Sequence, residues 1–144
     1  MRCEDFMTTP PAILGPDDTA LDAAQAMREL DVGFIPVCGA DRRVLGTVTD
    51  RDLVLRIIAD DRGHDVPLSD VMSAPHVVCR PDDDIRLAAE LMRESMQGRI
   101  LCIDDAGRLV GVISLMDLAR FDAEATSTAT RIFSDLGGGF GGAG

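Results

Sequence analysis

The feature that most constrains this chain is an internal duplication. Residues 5–54 align with residues 70–119 at a constant offset of 65, and no gap is needed. Seventeen positions match: Asp5, Met7, Pro10, Pro16, Asp17, Asp18, Ala23, Ala24, Met27, Arg28, Glu29, Gly33, Ile35, Arg43, Gly46, Asp52 and Leu53. Others change conservatively, as Thr8 to Ser73, Val48 to Ile113 and Thr49 to Ser114. A unit of roughly 50 residues buries too little apolar surface to be comfortable alone. The expected solution is two halves packed about a pseudo-two-fold axis, with clefts that come in pairs.

Each repeat reads β-α-β-β-α, an α+β arrangement. A short apolar stretch opens it (Ala12–Leu14; Val77–Cys79), and Pro-Asp-Asp breaks the chain. Asp18 or Thr19, and Asp83 or Asp84, can then cap a helix. Leu21, Ala24, Met27 and Leu30 recur at helical spacing, as do Ile85, Ala88, Leu91 and Met92. After Gly33 or Gly98 come the strands FIPVC and RILCI, a polar turn, and the strands VLGTVT and LVGVIS, with a second helix beginning at once. The expected divisions are a first motif over 1–60, a polar connector over 61–69, a second motif over 70–122, and an extension over 123–144. The extension ends in GGGFGGAG, which is expected to be disordered.

Composition excludes several functions. The formal charge of −11 over 144 residues argues against a broad nucleic-acid or anionic-membrane surface. With no Trp, no Tyr and five Phe, a platform for stacking single strands is not expected. No charge-free apolar run approaches the ~18 residues a membrane helix needs. The start MRCEDFMTTPP lacks the apolar core of a signal peptide. A cytoplasmic protein is expected, with Cys3, Cys38, Cys79 and Cys102 as reduced thiols.

The repeated signature is GTVTDRDL at 46–53 and GVISLMDL at 111–118. Thr or Ser followed three residues later by Asp is a capping-box pattern, and capping alone would justify Thr49 with Asp52 and Ser114 with Asp117. The same groups suit a ribonucleotide. A helix start offers amide N–H groups to an anion. A hydroxyl adds a contact to phosphate or sugar, and a carboxylate can accept both hydrogen bonds of a vicinal diol. Gly46 permits a close backbone approach, and Arg51 can neutralise phosphate. Both readings stand at this level.

The doubled β-α-β-β-α order, with GFIPV before the second strand and GTVTDRDL after it, resembles a pair of cystathionine-β-synthase (CBS) domains, a Bateman module. The likeness covers about residues 5–120 and extends to small stand-alone bacterial CBS-pair proteins, some linked to stress or hypoxic responses. It implies that an adenosine ligand (AMP, ADP, ATP or S-adenosylmethionine) binds in the cleft between the two motifs. The ribose acid of the family falls on Asp52 and Asp117, and its hydroxyl partner on Thr49 and Ser114. The adenine contacts fall on Thr8, Ile13, Val32, Gly33, Phe34 and Ile35, and in the second repeat on Ser73, Val78, Gly98, Arg99 and Ile100. The second repeat departs from the pattern: Leu101 replaces the Pro of FIPV, and Leu115-Met116 replaces Asp50-Arg51. The site built on Thr49, Arg51 and Asp52 is therefore expected to be the better one, with Arg99 a possible phosphate partner for the other.

Other chemistry has little support. His76 and Cys79 lack a second pair at metal-ligand spacing, so no metal is expected. Cys38 and Cys102 read as core residues, and a Cys79–Cys102 redox pair is a minor alternative. There is no nucleophile elbow, Walker loop or Gly-x-Gly-x-x-Gly, and His64 reads as solvated. The acids at 17–18 and 82–83 read as turn and cap residues, Met27 and Met92 as core. The leading expectation is a non-enzymatic adenine-nucleotide sensor that needs no cofactor, forms a homodimer, and signals to an unknown protein partner. The alternative is a dimerisation or interaction module without a ligand site.

Overall fold

The computed structural model describes residues 1–75 and 77–119. They form two compact units. The first comprises residues 10–75; the second combines residues 1–9 with residues from 77 onward.

In the first unit, helix α1 (Ala20–Leu30) starts at a complete capping box. Thr19 Oγ1 accepts from the Asp22 amide at 3.2 Å, and Asp22 Oδ2 accepts from the Thr19 amide at 2.9 Å. The helix stops at Asp31, which takes the left-handed conformation at φ 54°. Strands β1 (Phe34–Cys38) and β2 (Val44–Thr49) pair antiparallel, with a bulge between Val37 and Cys38. The expected strand at Ala12–Leu14 is reduced to one parallel bridge, Leu14 to Val37. Helix α2 (Asp50–Leu53) follows β2 directly and widens into a π-helical turn over Val54–Ile58, where the Ala59 amide reaches back to the Val54 carbonyl at 2.8 Å. The core is Ala20, Ala23, Met27, Ile35, Val37, Val48, Ile57, Leu68 and Val71. Leu68 and Val71 lie beyond the first repeat's second helix, yet both are fully buried here. They are held by Leu68 N–H donating to the Asp18 carbonyl at 2.8 Å and Ala20 N–H donating to the Val66 carbonyl at 2.9 Å.

The second unit repeats the plan. Strand β3 (Val78–Cys79) pairs parallel with β4 (Arg99–Ile103), which pairs antiparallel with β5 (Leu109–Ser114). Helix α3 (Ile85–Ser95) is capped by Asp84, whose side chain accepts from the Arg86 amide at 2.9 Å. Helix α4 (Leu115–Ala119) follows β5. Met92, Ile100, Cys102, Ile113 and Leu118 dominate the core, joined by Cys3 and Phe6 from the N-terminal arm. The expected core positions Met27, Met92, Cys38 and Cys102 are all buried. The extension over 123–144 lies outside the described residues.

Each unit has its own segment crossing the second hairpin strand. Thr47 and Ser73 exchange two backbone hydrogen bonds of 2.8 and 2.9 Å; Thr8 and Val112 exchange two of 2.9 Å. These are equivalent pairs under the 65-residue offset, with the segments exchanged. The preceding residues need space at a glycine. A Cβ on Gly46 would stand 2.7 Å from the Ser73 carbonyl oxygen, and one on Gly111 would stand 2.8 Å from Met7 Sδ. The backbone that approaches Gly46 closely is therefore the protein's own.

Candidate functional site

In the first unit, Thr49 ends β2 and caps α2. Its Oγ1 accepts from the Asp52 amide at 3.1 Å. Asp52 Oδ2 in turn accepts from the Thr49 amide at 2.9 Å and from Thr49 Oγ1 at 3.1 Å. The capping box expected from the sequence is thus fully formed. It occupies one carboxylate oxygen. The other, Oδ1, accepts from Ser73 Oγ at 3.2 Å and lies 3.9 Å from Arg56 Nε. A carboxylate oxygen has two lone pairs, so Oδ1 retains capacity for a further donor beside Ser73. Asp52 is half-buried and the Arg51 side chain beside it is exposed.

Arg56 was not among the residues picked from the sequence. It sits four residues after Asp52 and donates to the Val71 and Met72 carbonyls at 3.3 and 3.1 Å. It thereby fixes the segment that carries Ser73. The i, i+4 spacing of Asp and Arg was the available signal. Val32, Gly33, Phe34 and Ile35 lead into and begin β1, and Phe34 is the ladder partner of Thr49. The Gly33 carbonyl accepts from the Asp50 amide at 3.0 Å, which brings the start of β1 to the start of α2. Ile13 precedes Leu14 at the bridge to Val37 and is half-buried.

In the second unit, Asp117 Oδ2 accepts from the Ser114 amide at 2.8 Å and Ser114 Oγ at 3.0 Å, while Ser114 Oγ accepts from the Asp117 amide at 3.2 Å. The two motifs match bond for bond. Gly98 again joins strand to helix, its carbonyl accepting from the Leu115 amide at 3.1 Å. Arg99 pairs with Ser114 across the ladder, Ile100 with Ile113, and Val78 with Leu101. Thr8 lies on Val112, and its hydroxyl donates to the Val112 carbonyl at 3.4 Å. Asp117, unlike Asp52, is buried, and it is the one buried charged residue among those described.

The sequence residues therefore gather into two sets, each within its own unit. Ile13, Val32, Gly33, Phe34, Ile35, Thr49, Arg51, Asp52 and Ser73 belong to the first; Thr8, Val78, Gly98, Arg99, Ile100, Ser114 and Asp117 belong to the second. Ser73 and Thr8 have changed places relative to the repeat each was read in. Among the described residues, no group of three or more His, Cys, Asp or Glu is arranged to hold a metal ion. His76 lies outside them. No helix among them is long and apolar enough to cross a membrane.

Two duplicated α+β units, each ending its hairpin in a hydroxyl-acid capping box with a second hydroxyl brought in by a crossing segment, define a tandem repeat module. The chain belongs to the CBS domain family, whose profile matches residues 3–59 and 68–124. The CBS domain-containing protein YhcV of Bacillus subtilis is 41% identical over 117 residues, covering 81% of each chain. The solved structure of a CBS domain protein from Pyrobaculum aerophilum, complexed with AMP, matches with a TM-score of 0.76 and 26% identity over 90% of this chain and 98% of that one. A structure of Hypoxic Response Protein I with two coordinated zinc ions matches with a TM-score of 0.76 and 29% identity, covering 85% and 99%.

Proposed function

We propose that this chain is a non-enzymatic regulatory module that binds an adenosine nucleotide of the AMP class. The observation that carries the reading is the state of Asp52. Its Oδ2 is fixed by Thr49, while Oδ1 accepts from Ser73 and keeps acceptor capacity for one more donor. A ribose hydroxyl is such a donor, and Arg51 and Arg56 supply positive charge nearby against the strongly acidic whole. The AMP complex of the Pyrobaculum relative supports this ligand class. A second relative of 25% identity, also solved with AMP, supports it as well. The greater exposure of Asp52 than Asp117, and the presence of Arg51, favour the set around Thr49, Arg51 and Asp52 as the stronger site. Thr8, Val78, Gly98, Arg99, Ile100, Ser114 and Asp117 make up the weaker one.

Binding shifts a conformational balance only by the difference in affinity between the states involved. The output passes to a protein partner through the module's assembly. We propose a homodimer, with Val54, Leu55 and Ile58 on the α2 segment as its exposed apolar contacts; Ile58 is 72% exposed.

A specific observation favours a second reading. The capping boxes are complete without a ligand, so Thr49, Asp52, Ser114 and Asp117 have a structural role that suffices to explain them. Isothermal calorimetry with AMP and 2′-deoxy-AMP separates the two. The sensor reading expects saturable AMP binding and weaker binding of the deoxy analogue. No heat with AMP, ADP, ATP or S-adenosylmethionine would leave the interaction module as the account.

A further inference from the structure

Three of the four cysteines meet inside the second unit. Cys3, Cys79 and Cys102 are 0%, 1% and 0% exposed, and all three belong to one core cluster. Cys38 is in the first unit's hairpin. Cys79 and Cys102 are register partners in the parallel β3–β4 ladder. Neighbouring strands lie about 4.8 Å apart, and side chains of register partners leave the sheet on the same face. That spacing falls inside the roughly 4.4–6.8 Å Cα window of a disulfide. Cys3 packs in the same core cluster as this pair.

We propose that Cys79 and Cys102 form a reversible disulfide, making the second unit a thiol-based redox site whose oxidant is a peroxide. One sulfur of the pair attacks one peroxide oxygen and the O–O bond breaks. The products are a sulfenic acid on that cysteine and, from hydrogen peroxide, one water that takes up the thiol proton. The other sulfur then attacks the sulfenic sulfur. The S–S bond forms, the S–O bond breaks, and a second water leaves with the second thiol's proton. Two thiols are oxidised and one peroxide is reduced to two waters.

The N-terminal arm covers the cluster. Cys3 N–H donates to the Asp83 carbonyl, Glu4 N–H to the Pro81 carbonyl and Ile85 N–H to the Met1 carbonyl, at 2.9, 2.9 and 3.0 Å. Oxidation then requires the arm to lift, and low urea should accelerate it. The product would staple β3, which carries Val78, to β4, which carries Arg99 and Ile100.

The test treats the full chain with hydrogen peroxide, alkylates it in denaturant and maps tryptic peptides. Arg86, Arg93 and Arg99 place cleavage between the two sulfurs. The expected result is a fall from four titratable thiols to two, a Cys79–Cys102 linked peptide short of two hydrogen masses, and recovery of four thiols with dithiothreitol. Cys38→Ser should fall from three to one, and Cys102→Ser should keep all three. Four thiols retained by the wild type would overturn the proposal. So would a link to Cys3 in place of this pair, or sulfinic acid with no cross-link. The wild-type peptide map decides the matter even where a buried variant fails to fold.

Discussion

Ser73 Oγ donates to Asp52 Oδ1 at 3.2 Å, although the two residues belong to different repeats of the sequence. The contact exists because the Met72–Ser73 segment pairs with Thr47 and is tied down by Arg56. It joins the capping acid of one repeat to the opening segment of the next.

Asp52→Ala removes the acceptor proposed for the ribose. A charge-assisted hydrogen bond is worth ~1.5–3 kcal/mol, so AMP affinity should fall roughly ten- to a hundredfold in calorimetry. The same change removes half of a capping box, and unfolding free energy should drop by about 1 kcal/mol in urea titration. A drop in stability with unchanged affinity would count against the sensor reading.

Gly46→Ala tests the crossing segment. The new Cβ would stand 2.7 Å from a backbone oxygen of Ser73, so the segment must move. Overpacking of this kind costs about 1–3 kcal/mol. Reduced AMP binding should accompany it, because Ser73 would leave Asp52. Equal stability of variant and wild type in urea would show that the segment is not seated there.

Asp104 governs the turn between β4 and β5. Its Oδ1 accepts from the Arg108 and Ala106 amides, both at 2.9 Å, and the backbone bond from Arg108 is the main cause of a carboxyl held below its usual range. A carboxyl with a depressed folded-state pKa stabilises the fold above its unfolded value, near ~3.9, and that contribution vanishes as pH falls through the folded value. Asp104→Asn should therefore lower Tm slightly at pH 7 and by progressively less on acidification. A Tm difference that persists at the lowest pH would exclude the charge as its source.

Ile58→Glu addresses the proposed homodimer. A charge on that exposed apolar turn must be desolvated on association. Light scattering should shift from the dimer mass to the monomer mass, while circular dichroism stays unchanged. A wild-type chain that is monomeric at micromolar concentration would refute the dimer directly.

Much of this protein was legible in one dimension. The hairpin strands occur over the residues that their alternation and turns mark out, because Gly33, Gly98 and the polar turns punctuate the apolar runs sharply. Both capping boxes were legible, since Thr/Ser-x-x-Asp is a local pattern whose donors and acceptors lie within one turn. The spacing of Asp52 and Arg56 pairs their charges, but the other part of Arg56's role rests on the Val71 and Met72 carbonyls, which no spacing rule brings near it. The π-helical turn after α2 was equally invisible, as nothing in VLRII distinguishes it from an ordinary helix.

The duplication and its local chemistry were settled by residue order alone, because helix caps, strand alternation and turns are short-range effects. Which hydroxyl meets which acid was decided only in three dimensions. Thr8 and Ser73 are interchangeable in the alignment, but backbone pairing puts Ser73 on Thr47 and Thr8 on Val112. Closing those long-range contacts is a matter of where the chain can travel and what it can bury, and Gly46, Gly111, Leu68 and Cys3 mark the places where that fit is made.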